Sequence, residues 1–276
     1  MTILQNVDLR EGCGDKIDVR HKILVMSGDS GVGKSTVARN LALSLSEKGA
    51  SVGLLAIDYR DADIASILDM KRTMMAGNMK PLFPDVVTPR LKSISMPFPL
   101  SRKDFRAVWP GTMMKDTIRR LLQRVCWGKL DYLIIDLPPV PGDVPMIVVQ
   151  EITDIAGAII VSTSQEMTCP SFRKVIGFSK IVRLPILGLI ENRSDFQCPQ
   201  CKSNVHVTDA GGSEHSSHNL GIPYLGNVPF GPDSFEDGDE DLFISTQYSD
   251  PGAKNRFNEI IKKIEDYVHR GRVTIG

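Results

Sequence analysis

Residues 28–36, Gly28-Asp29-Ser30-Gly31-Val32-Gly33-Lys34-Ser35-Thr36, carry the spacing G-x-x-x-x-G-K-S, which suits phosphate binding. Glycines let successive backbone N–H groups turn inward on phosphate oxygens, and a helix beginning near Lys34 adds the positive end of its dipole. Lys34 is then placed to hold β- and γ-phosphates. Ser35 offers a hydroxyl oxygen to Mg²⁺, a hard cation that takes oxygen ligands and shares them with substrate phosphates. Two carboxylates belong with this loop, Asp58 at the end of one apolar run and Asp136 at the end of another. Asp136 suits holding Mg²⁺ directly or through water, and Asp58 suits orienting or deprotonating an attacking water. A third chemical group is the pair Cys198-Pro-Gln-Cys201, with His206, His215 and His218 further along. Thiolates and imidazoles both bind Zn²⁺, so a closed zinc site of Cys198, Cys201, His206 and a later histidine is one reading of this segment.

These residues need a scaffold that brings them to one place. Apolar runs rich in Val, Ile and Leu recur at 22–27, 52–57, 91–95, 131–136, 157–162, 185–190 and 224–228. Continuous apolar runs separated by helical or loop segments predict an α/β fold, a mostly parallel twisted sheet of about seven to eight strands with helices on both faces. In such a sheet Asp58 and Asp136 both reach the carboxyl edge, beside the phosphate loop. Helices are expected at about 34–48, closing at Gly49 as a left-handed cap, and at 111–126, 168–182 and 253–270. Residues 72–90 and 192–221 break this rhythm and read as long connections. The expected organisation is an extension at 1–20, one nucleotide-binding domain over 21–270 with an insertion loop at about 192–221, and a tail at 271–276.

Composition narrows the function. Thirty-three basic and thirty-three acidic residues cancel, so no global field draws the chain onto nucleic acid or an anionic membrane. The first residues lack a basic and apolar leader, and no run approaches the roughly 18 apolar residues of a membrane span. A soluble cytoplasmic protein is expected. Five cysteines without disulfide-rich spacing fit a reducing compartment. Cys126 and Cys169 read as small core residues, and no role is assigned to Cys13.

Several separated motifs together resemble the Mrp/ApbC-type P-loop ATPases that carry iron–sulfur clusters, relatives of the MinD and ParA ATPases. They are the phosphate loop, Val52-Gly-Leu-Leu55 leading to Asp58, and Trp127-Gly-Lys-Leu-Asp-Tyr-Leu-Ile-Ile-Asp136-Leu-Pro-Pro139. Thr163-Ser-Gln-Glu166, Glu191-Asn192-Arg-Ser ahead of Cys198-Pro-Gln-Cys201, and Ile222-Pro-Tyr-Leu-Gly-Asn-Val-Pro229 come next in order. The resemblance implies an ATP-binding homodimer in which Cys198 and Cys201 of two subunits bridge one [4Fe–4S] cluster destined for apo iron–sulfur proteins. Two thiolates fill half of a four-cysteine shell, so a second copy must supply the rest. By the same analogy Asn192 and Pro229 sit at the adenine end of the site. The string Asn192-Arg193-Ser194-Asp195 also looks like a guanine-reading element, and GTP stays open beside ATP.

The chain departs from the family pattern at identifiable places. Asp29 and Ser30 stand where the family has lysine and glycine, Val140-Pro141 where it has Gly-Thr, and Ser171 where it has aspartate. Replacing a phosphate-directed cation by a carboxylate weakens transition-state stabilisation, so slow hydrolysis is expected, with Arg60 and Arg193 as candidate substitutes. The expected function is an ATP-binding carrier or scaffold for a [4Fe–4S] cluster. The other classes considered are a MinD/ParA-like positioning ATPase, a zinc-stabilised NTPase and a small-molecule kinase.

Overall fold

The computed structural model describes residues 18–58, 81–97, 111–163, 165, 167, 169–197, 204–206, 212–230 and 251–270. The seven apolar runs all become strands: β1 (Val19–Met26), β2 (Val52–Asp58), β4 (Leu91–Pro97), β5 (Leu130–Asp136), β6 (Ile155–Ser162), β7 (Ile186–Gln197) and β9 (Tyr224–Phe230). Each pairs in parallel with its neighbours, giving the order β4-β2-β5-β1-β6-β7-β9. Two short antiparallel strands, β3 (Asp85–Thr88) on β4 and β8 (Asn204–His206) on β7, bring the sheet to nine. Both lie inside stretches that the sequence presents as connections. They are too short to show a period, and β3 is largely exposed.

Along β1, Leu24 and Met26 enter one core while Ile23 and Val25 enter the other, the two-residue alternation of a strand buried on both faces. Helix α1 (Lys34–Glu47) and α6 (Pro251–Arg270) cover the second face through Val37, Leu41, Leu45, Phe257, Ile260 and Ile264. The first face is covered by α2 (Gly111–Arg124), α3 (Asp143–Glu151) and α4 (Pro170–Ile181). A short helix, α5 (Gly212–Asn219), precedes β9.

Helix α1 ends as its sequence predicts. Gly49 takes φ +97°, its N–H donates to Ser46 O at 3.0 Å, and the N–H of Ala50 donates to Leu45 O at 3.2 Å, the paired bonds of a Schellman cap. Helix α3 was not visible in the sequence, because Asp-Val-Pro-Met-Ile-Val-Val reads as a β-branched run; burial of Val144, Ile147 and Val148 holds it helical. Cys126 is buried as expected, but its sulfur is disulfide-bonded, which corrects the reading of it as a packing thiol. Cys169 corrects the expectation of a core residue: it is only half-buried, in extended backbone just before Pro170 opens α4. Among the described residues, no helix is long and apolar enough to cross a membrane.

Candidate nucleotide-binding site

The loop leaves β1 at the centre of the sheet. Gly31 and Gly33 adopt φ +84° and +80°, a region that side chains disfavour and that lets neighbouring N–H groups converge. Gly28 is required for another reason, since a Cβ there would meet Ser171 O at 2.7 Å. The loop backbone therefore packs directly on the first turn of α4. Ser27 Oγ donates to Asp29 O at 2.8 Å, and Val140 N–H donates to Ser27 O at 2.9 Å, tying the loop to the segment after β5.

Helix α1 begins with Gly33 as its cap, and among the described residues no side-chain cap bond is made there. A helix start left this way, at the mouth of a glycine turn, suits an anion. Lys34 and Ser35 open the helix, with Thr36 after them. Lys34 Nζ is ion-paired with Asp136 and lies 3.5 Å from Ser35 Oγ. Both members of the pair are buried, with side chains 11% and 7% exposed. A buried pair of this kind is held by mutual attraction against the cost of leaving water. Lysine, hydroxyl and carboxylate thus meet at one point, the donor set that a triphosphate with Mg²⁺ requires.

Sheet register places the remaining residues. Asp136 pairs with Val25 on β1, and Ala56 on β2 pairs with Asp136. Asp58 closes β2 two residues further along, at the same carboxyl edge; its side chain lies outside the described residues. Asn192 is buried, and its Nδ2 donates to Val32 O at 2.8 Å, so its amide reaches the phosphate loop. Pro229 comes directly after Val228, the register partner of Asn192, and its side chain is likewise outside the described set. Cys198 and Cys201 lie outside the described residues, as do Cys13 and Arg60. The strands on either side of the cysteine pair are described: Gln197 of β7 pairs with Asn204 of β8.

Sequence reasoning missed the Asn192–Val32 bond and the partner of Glu191, a buried carboxylate that accepts from Tyr224 Oη at 3.0 Å. The available signal was two polar residues, Glu191 and Asn192, ending an apolar strand. Buried polar groups must find partners, and theirs lie on a neighbouring strand and on the loop.

A cluster of packed rings lies at the opposite, amino edge. His21 on β1 packs against Tyr132 of β5 and His269 of α6, at ring-centroid separations of 5.3 and 5.6 Å. Burial, then the charges of Arg20 and His269, lower the His21 pKa, against an opposing pull from Asp131. Burial chiefly raises that of Tyr132, with Glu265 and Asp131 adding to it.

A family model described as NUBPL iron-transfer P-loop NTPase, of the ParA group, matches residues 18–265, nearly the whole sheet and its helices. The chain belongs to this family. Among its relatives, the iron-sulfur cluster carrier protein of Methanocaldococcus jannaschii is 36% identical over 264 residues, covering 96% of this chain and 89% of the relative. That of Saccharolobus solfataricus is 32% identical over 261 residues, covering 95% and 88%. Among solved structures, a nucleotide-binding protein from Archaeoglobus fulgidus in complex with ADP is 29% identical, with a TM-score of 0.56 and coverage of 91% of this chain and 89% of that one. The cell division ATPase MinD of Pyrococcus furiosus, at 20% identity, shares the fold, with a TM-score of 0.61 over 90% of this chain and 99% of its own. In this NUBPL-family chain the G-x-x-x-x-G-K-S spacing runs from Gly28 through Gly33 and Lys34 to Ser35, with Asp29 in its first variable position.

Proposed function

We propose that the protein is a cytoplasmic, ATP-binding carrier that holds a [4Fe–4S] cluster between two protomers and passes it to apo-proteins. The observation that carries the reading is the position of β7. One strand places Asn192 on the phosphate loop and, a few residues on, enters the β7–β8 ladder whose connection contains Cys198 and Cys201. The names of the archaeal relatives support the cargo, and coordination number supports the dimer, since each chain offers two thiolates in this segment.

The loop amides of Gly31–Gly33, with Val32 between them, the start of α1 and Lys34 would hold the phosphates. Ser35 and Asp136 would hold Mg²⁺, whose chemistry is to neutralise phosphate charge. Lys34 must exchange Asp136 for phosphate, and the ion pair keeps its charge in place until then. Asp58 would position water. Asn192 and Pro229 border the base end, where adenine is favoured by the family. Hydrolysis is slow in this reading because Asp29 puts a carboxylate where relatives place a cation.

The test is transfer. Protein reconstituted without oxygen should restore activity to an apo-protein that takes a [4Fe–4S] cluster, even with an iron chelator present. Cys198→Ser and Cys201→Ser should abolish that restoration, and Lys34→Ala should change its rate while iron stays bound. Restoration that survives both cysteine substitutions would refute the reading.

A further inference from the structure

Asn192 is the residue through which the phosphate loop touches the strand leading to the cysteines. Its amide is buried and donates to Val32 O at 2.8 Å. Next to it, a Cβ on Gly33 would come within 2.1 Å of Asn192 Nδ2. The loop and the amide are therefore in contact on two consecutive residues. A change in the backbone orientation of Val32 or Gly33, the residues that would turn towards phosphate, must move the amide or break its bond.

The strand beyond Asn192 changes its pairing partners. Up to Glu191, β7 is held on one side by β6, ending with Ser162 opposite Glu191. On the other side β9 pairs with Asn192 through Val228 and with Phe196 through Phe230. Four steps on β7 thus face two on β9, so β7 carries a bulge, or bow, across residues 193–195. Bulges of this kind bend a strand and re-aim the residues beyond the bend. Past the bow, Asp195, Phe196 and Gln197 form a separate antiparallel ladder with His206, Val205 and Asn204. Residues 198–203, including both cysteines, connect the two rails of that ladder.

We propose that Asn192 is a positioning residue that couples the conformation of the phosphate loop to the Cys198–Cys201 connection through the bow in β7. The proposal deepens the carrier reading and rests on the cysteines being the cargo site. Its physical content is one hydrogen bond, one close contact and one bulged strand, the kind of element whose arrangement two sites can bias.

Alkylation of the bare thiols tests it without iron. The cluster-free protein is treated with iodoacetamide, with and without Mg²⁺ and a non-hydrolysable ATP analogue, and modification of the peptide containing Cys198 and Cys201 is tracked by mass spectrometry. The wild type should show a nucleotide-dependent change in rate of at least about fivefold, the lower end of ordinary site-to-site coupling. Asn192→Asp keeps the shape of the side chain and loses the N–H donor. At analogue concentrations saturating for the variant, its ratio of rates should fall to within about 1.5-fold of unity, coupling having been lost. A wild-type ratio preserved in Asn192→Asp and Asn192→Ala, or a wild-type ratio of one, would overturn the proposal. Should Asn192→Asp not fold, amide hydrogen exchange at residues 204–206 of the wild type decides: a change on adding the analogue supports coupling, and none refutes it. Whether iron binds at all is decided separately by metal analysis, so failure of the coupling and failure of the carrier reading are distinguishable.

Discussion

The two ends of β1 treat buried polarity in opposite ways. At the carboxyl end the strand runs into glycines with left-handed backbone, a helix start without a side-chain cap, and a buried lysine paired with a carboxylate. The groups that remain there are donors and charges of the kind a phosphate ligand takes up. At the amino end His21 is packed between Tyr132 and His269, and its Nε2 is buried without a partner among the described residues. That end closes the fold with rings. Helix α1 repeats the contrast within one element: its first turn lacks a side-chain cap, whereas its last turn is satisfied by Gly49 and Ala50. The difference teaches where the molecule keeps binding capacity in reserve, since satisfied ends contribute stability and open ends contribute recognition.

The contrast can be broken first at its charged end. Lys34→Ala leaves Asp136 buried without its partner, and stability without nucleotide should fall by about 3–5 kcal/mol, read as a lower urea midpoint. Adding Asp136→Asn should recover most of that loss, while nucleotide binding stays absent in both variants. Gly33→Ala comes next. Its φ alone costs about 1–2 kcal/mol, and the methyl must also displace Asn192, so titration calorimetry should find nucleotide affinity reduced by more than about tenfold. Gly49→Ala is the matched control, with a similar positive φ and nothing within 4 Å of the added methyl. It should lower stability by about 1 kcal/mol in thermal melts and leave nucleotide affinity unchanged. Equal effects of the two alanines on affinity would erase the distinction between open and closed ends.

The smallest effect is graded and belongs to the amino end. The folded state lowers the His21 pKa below its ordinary 6.5, so the unfolded chain takes up this proton more readily. Stability from this site is therefore complete above pH 6.5 and is lost as pH falls through the lower folded value. In urea titrations between about pH 7.5 and 5, His21→Phe should flatten the decline. An unchanged slope would remove His21 from the account of that edge.

Much of the fold was legible because parallel strands buried on both faces appear as unbroken apolar runs, and all seven such runs are strands. β3, β8 and α5 were hidden by brevity and polarity. Helix α3 was hidden because its Val and Ile content favours strand locally while its burial favours helix, and tertiary packing prevails. Cys169 misled because apolar neighbours in sequence do not guarantee burial at a helix start. At the candidate site, the loop, Lys34 and Asp136 could be placed together from spacing and strand ends alone. The bond from Asn192 to Val32 joins residues 160 positions apart, and no local pattern encodes it. The packing of His21 on His269 is invisible for the same reason, because it depends on how α6 returns across the sheet.

Iron, acid-labile sulfide and zinc analysis of protein purified without oxygen, together with its mass in solution, tests the carrier account most directly. The account predicts about four iron and four sulfide per pair of protomers, lost together with the dimer-bridging cluster in Cys198→Ser and Cys201→Ser. One zinc per chain with no sulfide, unaffected by whether the protein is a monomer or a dimer, would contradict it.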